Sequence, residues 1–482
     1  MKLNLLVIFV LLGQLLSAQI FTEVQDIPFN GVSNSSIAFA DVDGDNDQDV
    51  LITGEKSISA GVSKLYTNDG MGNFTEVQGT PFDNISRGSI AFSDVDGDSD
   101  QDVLITGYSS GNPISKLYTN DGMGNFTEVL GTPFVSVSES SIVFSDVDGD
   151  SDQDVLITGK PSAGDRISKL YTNDGMGNFT EVQGTPFEGV SLSSITFSDI
   201  DGDSDQDVLI TGKNNSSTVI TRLYANDGVG NFTEVTGTSF VGFNRSSIAF
   251  SDIDGDTDQD LLITGWSSGV GKSKLYSNDG LGNFTEVQGT PFVGVEESSI
   301  AFSDVDGDND QDVFITGSNG SVNRIAKLYT NDGSGNFTEE QSALFEGVHL
   351  SSIAFADIDG DTDQDILITG RNSSFSRISK LYKNQNIISS IETVDGELNF
   401  DFTLYPNPTK AERLTISYDS KINGLVRFKI FDLEGRLLQQ HQENVGMTKE
   451  IFSINISSLK NGFYFIQLDD GLTTGIKKFE VH

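Results

Sequence analysis

Short apolar runs separated by polar turns recur along most of the chain. In the first copy they are SIAFA (36–40), VLITG (50–54), SKLYT (63–67) and NFTEV (73–77), rich in β-branched and aromatic residues and bounded by Gly, Asn and Asp. Each run has strand length, and no apolar pattern of period 3.6 appears in the array, so the array is predicted to be all-β. The acidic stretch after the first run recurs with its leading aspartate at Asp41, Asp94, Asp146, Asp199, Asp252, Asp304 and Asp357, at spacings of 53, 52, 53, 53, 52 and 53 residues. Seven copies at this period, each with four strands, predict a seven-bladed β-propeller with one blade per copy. The last copy ends at SKLYKNQN without an NFTEV partner, whereas the segment from Ile20 begins IFTEVQDIPF. That orphan fourth strand is expected to complete the seventh blade and close a ring over residues 19–386, leaving no open sheet edge.

Outside the array the pattern changes. MKLNLLVIFVLLGQLLSAQ has a basic start, an apolar stretch and small residues ending at Ala18, as in a secretory signal peptide spanning 1–18. The stretch falls short of the roughly 20 apolar residues a membrane span needs, so no span is expected in the mature chain. IISSIETVDGELN reads as a linker over 387–400. RLTISYD, VRFKIFD, GFYFIQL and IKKFEVH then predict a small β-sandwich over 401–482.

Charge narrows the function. Asp and Glu number 71 against 29 Lys and Arg, a net charge of -42 that repels nucleic acid and anionic membranes. Apolar residues at 36% with 33 Phe still permit a large core, so the acidity does not mean disorder. Cysteine is absent, which removes disulfides and thiolate chemistry. The three histidines, His349, His441 and His482, leave little material for a histidine-based catalytic centre.

The acidity concentrates in the repeated loop DVDGDNDQDV (41–50). Side-chain oxygens at alternate positions, a main-chain carbonyl near position 7 and a glycine in the bend (Gly44) suit a hard cation. The candidate metal residues are Asp41, Asp43, Asp45, Asp47 and Asp49; Asp94, Asp96, Asp98, Asp100 and Asp102; Asp146, Asp148, Asp150, Asp152 and Asp154; Asp199, Asp201, Asp203, Asp205 and Asp207; Asp252, Asp254, Asp256, Asp258 and Asp260; Asp304, Asp306, Asp308, Asp310 and Asp312; and Asp357, Asp359, Asp361, Asp363 and Asp365. Carboxylates this close repel unless a cation joins them. Up to seven Ca2+ ions are expected, because calcium accepts six to eight oxygens in loose geometry, and zinc would want His or Cys.

DVDGDNDQDVLITG followed by KLYTNDGMGNFTEV resembles the FG-GAP and VCBS type of repeat, related to the calcium-binding blades of integrin α-subunit propellers. The resemblance implies calcium in the hairpin joining the first two strands of each blade. The chain departs from the pattern at position 7, where Asp47 and its equivalents replace a neutral residue and are expected to face solvent. FTLYPNPTK, FKIFDLEGRLL, INISSLKNGFYFIQL and the terminal IKKFEVH, in that order, resemble the C-terminal sorting domain of the type IX (Por) secretion system. This implies export through the periplasm and outer membrane of a Bacteroidetes-like cell by that machinery, to the surface or the medium.

Strand order places the acidic loop and the NDGMG turn at one end of each blade. The other end carries the segments in which the copies differ, including Lys160, Arg166, Arg324 and Arg371, and at the blade crossings Arg87, Phe243, Arg245, Glu296, Glu297 and His349. A glycan or protein ligand is expected there, with Tyr108 and Trp266 as candidate aromatic platforms. The tyrosines of KLY read as packing residues, and the NFT sequon at Asn73 as part of a turn. The favoured function is a secreted or surface, noncatalytic adhesion or binding module; the alternative is a polysaccharide lyase or glycosidase on the same scaffold, and a structural spacer is a third reading.

Overall fold

The computed structural model describes residues 21–385, apart from 59 and 321–322, and residues 402–481 with short interruptions. The expected signal peptide (1–18) and linker (387–400) lie outside the described residues. The chain divides into two compact units at the Asn386/Ile387 boundary, and the described residues contain no helix.

In the first unit, four-stranded antiparallel sheets repeat like propeller blades. The first is Ser33–Ala40, Asp49–Ser57, Ala60–Thr67 and Thr75–Glu76, paired in chain order. Val50, Leu51 and Ile52 are all buried, so VLITG forms a strand covered on both faces, which is why its apolar run is continuous. The fourth strand is shorter than NFTEV predicts, two residues plus the bond from Val77 N to Leu65 O (2.9 Å). Asn73 is held in the preceding turn and cannot extend it.

Neighbouring copies bury their faces against one another. Val42, Leu51 and Leu65 share a core with Ile90, Val103 and Tyr118 of the next copy. Ile358, Leu367 and Leu381 of the last copy share one with Ile37, Val50 and Tyr66 of the first. The N-terminal segment pairs as expected with the last copy: Phe21–Glu23 runs antiparallel to Arg377–Asn384, with Phe21 opposite Asn384 and Glu23 opposite Tyr382. Val24 N continues the ladder to Leu381 O at 2.8 Å.

The first strand of each copy carries a bulge that the sequence did not announce. In the first copy the register slips between Ser33 and Ser36, and Asn34 sits at φ 46°. The same left-handed conformation recurs at Arg87, Glu139, Leu192, Arg245, Glu297 and Leu350, residues for which it is unusual. Next to these bulges, hydroxyl pairs join adjacent copies at 2.8 Å, including Thr106 to Ser140, Thr316 to Ser351 and, from the last copy to the first, Thr369 to Ser35.

The second unit is the expected sandwich. A three-stranded sheet (Phe402–Tyr405, Arg413–Asp419, Lys449–Asn455) and a four-stranded one (Leu437–Val445, Gly424–Phe431, Gly462–Asp469, Thr474–Val481) bury Leu414, Ile416, Phe428 and Ile466 in one core.

Candidate functional site

Each acidic loop is built around two carboxylates with structural partners. Asp41 accepts from the N–H groups of Gly44 (2.8 Å) and Asn46 (3.0 Å), which folds the loop back on itself. Position 6 has positive φ throughout, 68° at Asn46 and 78° at Thr257, so the bend strains the residue there. Asp49 is fully buried and accepts from Val42 N (3.0 Å) and Asn68 N (2.8 Å). Burial nevertheless pushes its carboxyl up to about 7, against the pull of those two donors. The equivalents Asp102, Asp154, Asp207 and Asp260 rise to about 6, and Asp312 and Asp365 to about 7, for the same reason.

Position 3 carries oxygens that no protein donor among the described residues satisfies. The Oδ1 atoms of Asp43, Asp96, Asp148, Asp201 and Asp359 are buried without a hydrogen-bond partner. Burial first, then the neighbouring carboxylates, raise the pKa of Asp43, Asp96, Asp148 and Asp201. Carboxylate oxygens of Asp41, Asp43 and Asp45, and of Asp94, Asp96 and Asp102, lie within 4.8 Å of one another, with like groups in other copies. An all-oxygen donor set with an orphaned buried oxygen fits a hard divalent ion, held by positions 1, 3, 5 and 9. Asp47 is half-exposed and lies beside Gly70 of the NDGMG turn: a Cβ on Gly70 would stand 2.6 Å from its Oδ2. Glycine at position 70 (φ +69°) is what admits the contact.

The next copy covers each loop. Asn120 Nδ2 donates to Val42 O at 2.8 Å and Asn173 Nδ2 to Val95 O at 2.7 Å, and Asn68 of the first copy donates to Ile358 O of the last at 2.8 Å. Sequence reasoning passed over this asparagine, although its presence in every copy was the signal. In the same turn Asn73 Nδ2 donates to both Asp69 oxygens (3.3 and 3.0 Å), in keeping with a structural role for NFT. The tyrosines of KLY are buried; Tyr66 packs edge-on to Phe29 with centroids 4.9 Å apart.

At the opposite end the bulges line a cavity of about 480 Å³, with Arg87, Glu139, Leu192, Arg245 and Glu297 in its wall beside a series of serines. Arg245 pairs with Glu297 (3.0 Å), which also meets His349 Nδ1 at 2.8 Å. Burial pushes Glu297 up, but the His349 hydrogen bond and Arg245 bring it below the usual range, whereas burial raises Glu296. Glu139 accepts from Ser191 Oγ at 3.2 Å. Arg87 is exposed and has no hydrogen-bond or ion-pair partner among the described residues. Neither Tyr108 nor Trp266 lines this cavity. Tyr108 is 42% exposed on its second strand, and Trp266, half-buried, lies opposite Asn244 and Gly271. Tyr108→Ala is expected to change the unfolding free energy by less than about 0.5 kcal/mol, and Trp266→Ala to cost about 1 kcal/mol because part of the ring is buried; chemical denaturation of both variants checks this.

No curated protein sequence matches the chain. Among solved structures, a mutant of the Aleuria aurantia lectin in complex with α-methyl-L-fucoside is similar with TM-score 0.39 and 12% identity, over 65% of this chain and 96% of that one. AofleA from Arthrobotrys oligospora has TM-score 0.36 and 10% identity, over 76% and 89%. A fructan exohydrolase from Cichorium intybus in complex with 1-kestose has TM-score 0.29 and 11% identity, over 68% and 87%. The secretion system C-terminal sorting domain matches residues 403–482, and the FG-GAP-like repeat matches six overlapping stretches from 41–105 to 304–368. The chain therefore belongs to the FG-GAP-like repeat family and ends in a type IX sorting domain, which directs it to the cell surface or the extracellular space.

Proposed function

We propose that residues 21–385 form a closed seven-bladed propeller, braced by calcium in its aspartate loops, that binds a glycan or protein ligand at the opposite end without catalysing a reaction. The pairing of Phe21–Glu23 with the last copy and the core shared by the first and last copies support closure. When bound, calcium would supply the charge that positions 1, 3, 5 and 9 lack; the chain's part is to hold those oxygens together and to cover them with the next copy's turn.

The observation that carries the binding reading is the contrast between the two ends. The acidic loop keeps its aspartates from copy to copy. The bulge position varies through Asn34, Arg87, Glu139, Leu192, Arg245, Glu297 and Leu350, yet stays in a strained backbone conformation facing one cavity. Diversified side chains on a fixed scaffold are how binding sites are built. Arg87, unpaired, is placed to meet an acidic group such as a uronic acid carboxylate or an acidic peptide side chain.

An array of neutral and uronate-bearing glycans and of acidic peptides tests this with the full chain. Retention of an acidic probe, lost at least tenfold in Arg87→Ala at unchanged melting temperature, is the expected result; equal binding by Arg87→Ala places the site elsewhere. The opposite shifts of Glu296 and Glu297 favour a second reading, a polysaccharide lyase or glycosidase, since such pairs can divide acid and base roles. Release of unsaturated or reducing sugars would select it.

A further inference from the structure

The last aspartate loop differs from the others in one respect. The residue after the KLY tyrosine is Thr67, Thr119, Thr172, Ala225, Ser277 or Thr330 in the first six copies, and Lys383 in the seventh. Its Nζ lies 2.8 Å from Oδ2 of Asp359, the position-3 carboxylate of that loop, and donates to Met71 O of the first copy at 3.0 Å. Both side chains of the ion pair are largely buried, at 24% and 21% exposure. The first copy's turn is shaped around this lysine: a Cβ on Gly72 would stand 2.8 Å from Nζ, whereas at Gly124 the nearest atom is Asp43 Cβ at 3.7 Å.

We propose that Lys383 is the built-in cation of the seventh loop, so that the chain binds six calcium ions and not seven. The inference rests on the calcium reading above. Oδ1 of the position-3 carboxylate is buried without a partner in the first four loops and in the seventh alike, so what sets the seventh apart is the cation at the other oxygen, Oδ2. In the seventh an ammonium already engages one oxygen of that carboxylate, and a divalent ion ligated by Asp359 would sit within a few ångströms of a positive charge in a partly buried site. Calcium ligation by Asp359 has to displace this ammonium or be made against its charge, so the loop's affinity for calcium falls well below that of the others.

The location gives the substitution a purpose. The same strand sends Lys380 to Glu23 (2.8 Å) and Glu346 (2.9 Å), and Arg377 to Glu55 (2.8 Å). Three basic residues thus tie the last copy to the N-terminal segment and the first copy, and the junction between the chain's two ends is held by charges the chain itself supplies, whatever the calcium concentration.

Equilibrium dialysis of the full chain against millimolar calcium, with elemental analysis of the bound metal, tests the proposal. Six ions per chain are expected, and seven in Lys383→Thr, which places there the residue that four of the other six copies carry. The variant should also melt lower than the parent in chelator and recover in calcium. Seven ions in the parent, or equal numbers in parent and variant, overturn the proposal. Absence of bound calcium from both proteins overturns the calcium reading instead. Should Lys383→Thr not fold, Asp359→Asn in the parent should leave the count unchanged while Asp43→Asn lowers it by one; a loss of one ion from Asp359→Asn also overturns the proposal.

Discussion

A chelator at pH 8 is expected to lower the melting temperature of the repeat unit by about 5–10 °C relative to the same protein in millimolar calcium. For extracellular calcium modules with dissociation constants of roughly 0.1–1 mM, each occupied site gains about 1 kcal/mol at millimolar ion. Six sites then contribute about 6 kcal/mol, and a unit of this size shifts by roughly 1–2 °C per kcal/mol. Scanning calorimetry with and without chelator measures the shift, and coincident curves would remove the calcium brace.

The pH dependence in chelator has a definite sign. Asp49 has a folded pKa of about 7 and Asp102 about 6, both above the ordinary aspartate value. A group raised on folding contributes stability that is full below its unfolded pKa and is lost as pH rises through the folded one. Chelated protein should therefore melt higher at pH 5 than at pH 8, because a proton neutralises the buried carboxylate where calcium no longer does. Glu76 and Glu181, held low by Lys64 and Lys169, work in the opposite direction, but their effect falls below about pH 4.5, outside this interval. In saturating calcium the slope between pH 5 and 8 should vanish or reverse, since the ion favours the ionised form. A chelated protein that melts equally at both values would show that these aspartates are not strained by burial.

The strands and their order were legible because each copy restates the same short-range rules: β-branched runs, NDG turns and a two-sided apolar strand at VLITG. The partner of the last copy was legible for a different reason, an FTEV in excess at the N-terminal end and one missing after the last copy. The bulge at Asn34 and its equivalents was not, because its residue type changes from copy to copy and its positive φ accompanies a register slip beside a hydroxyl contact with the neighbouring copy. Lys383 looked like an ordinary strand residue, since its contact with Met71 joins residues 312 positions apart. The rings of Tyr108 and Trp266 suit a ligand platform by residue type alone. They sit on second strands while the cavity is walled by first strands, a distinction that needs the register and not only the order of elements.

Deleting residues 19–27 should damage the fold more than removing any single loop. Phe21 is 1% exposed, packs 5.3 Å from the Phe345 ring and belongs to the core of Val305, Phe314 and Tyr382. Phe21→Ala alone is expected to cost about 3–5 kcal/mol. The deletion also removes Glu23 from Lys380 and leaves Arg377–Asn384 as an edge strand with unpaired N–H and C=O groups. Such an edge pairs with another chain, so the expected products are dimers and aggregates on size-exclusion chromatography, and a synthetic FTEVQDIPF peptide added in trans should return the protein to the monomer. The peptide arm separates two causes that the deletion combines. Rescue means that the last copy is intact and lacks only its fourth strand, whereas aggregation that the peptide leaves unchanged means that Phe21 is needed to form the last copy's core at all. A truncated chain that stays monomeric with its melting temperature unaltered would show that the N-terminal strand is a passenger, and the two ends of the array would then have to be held by Arg377, Lys380 and Lys383 without it.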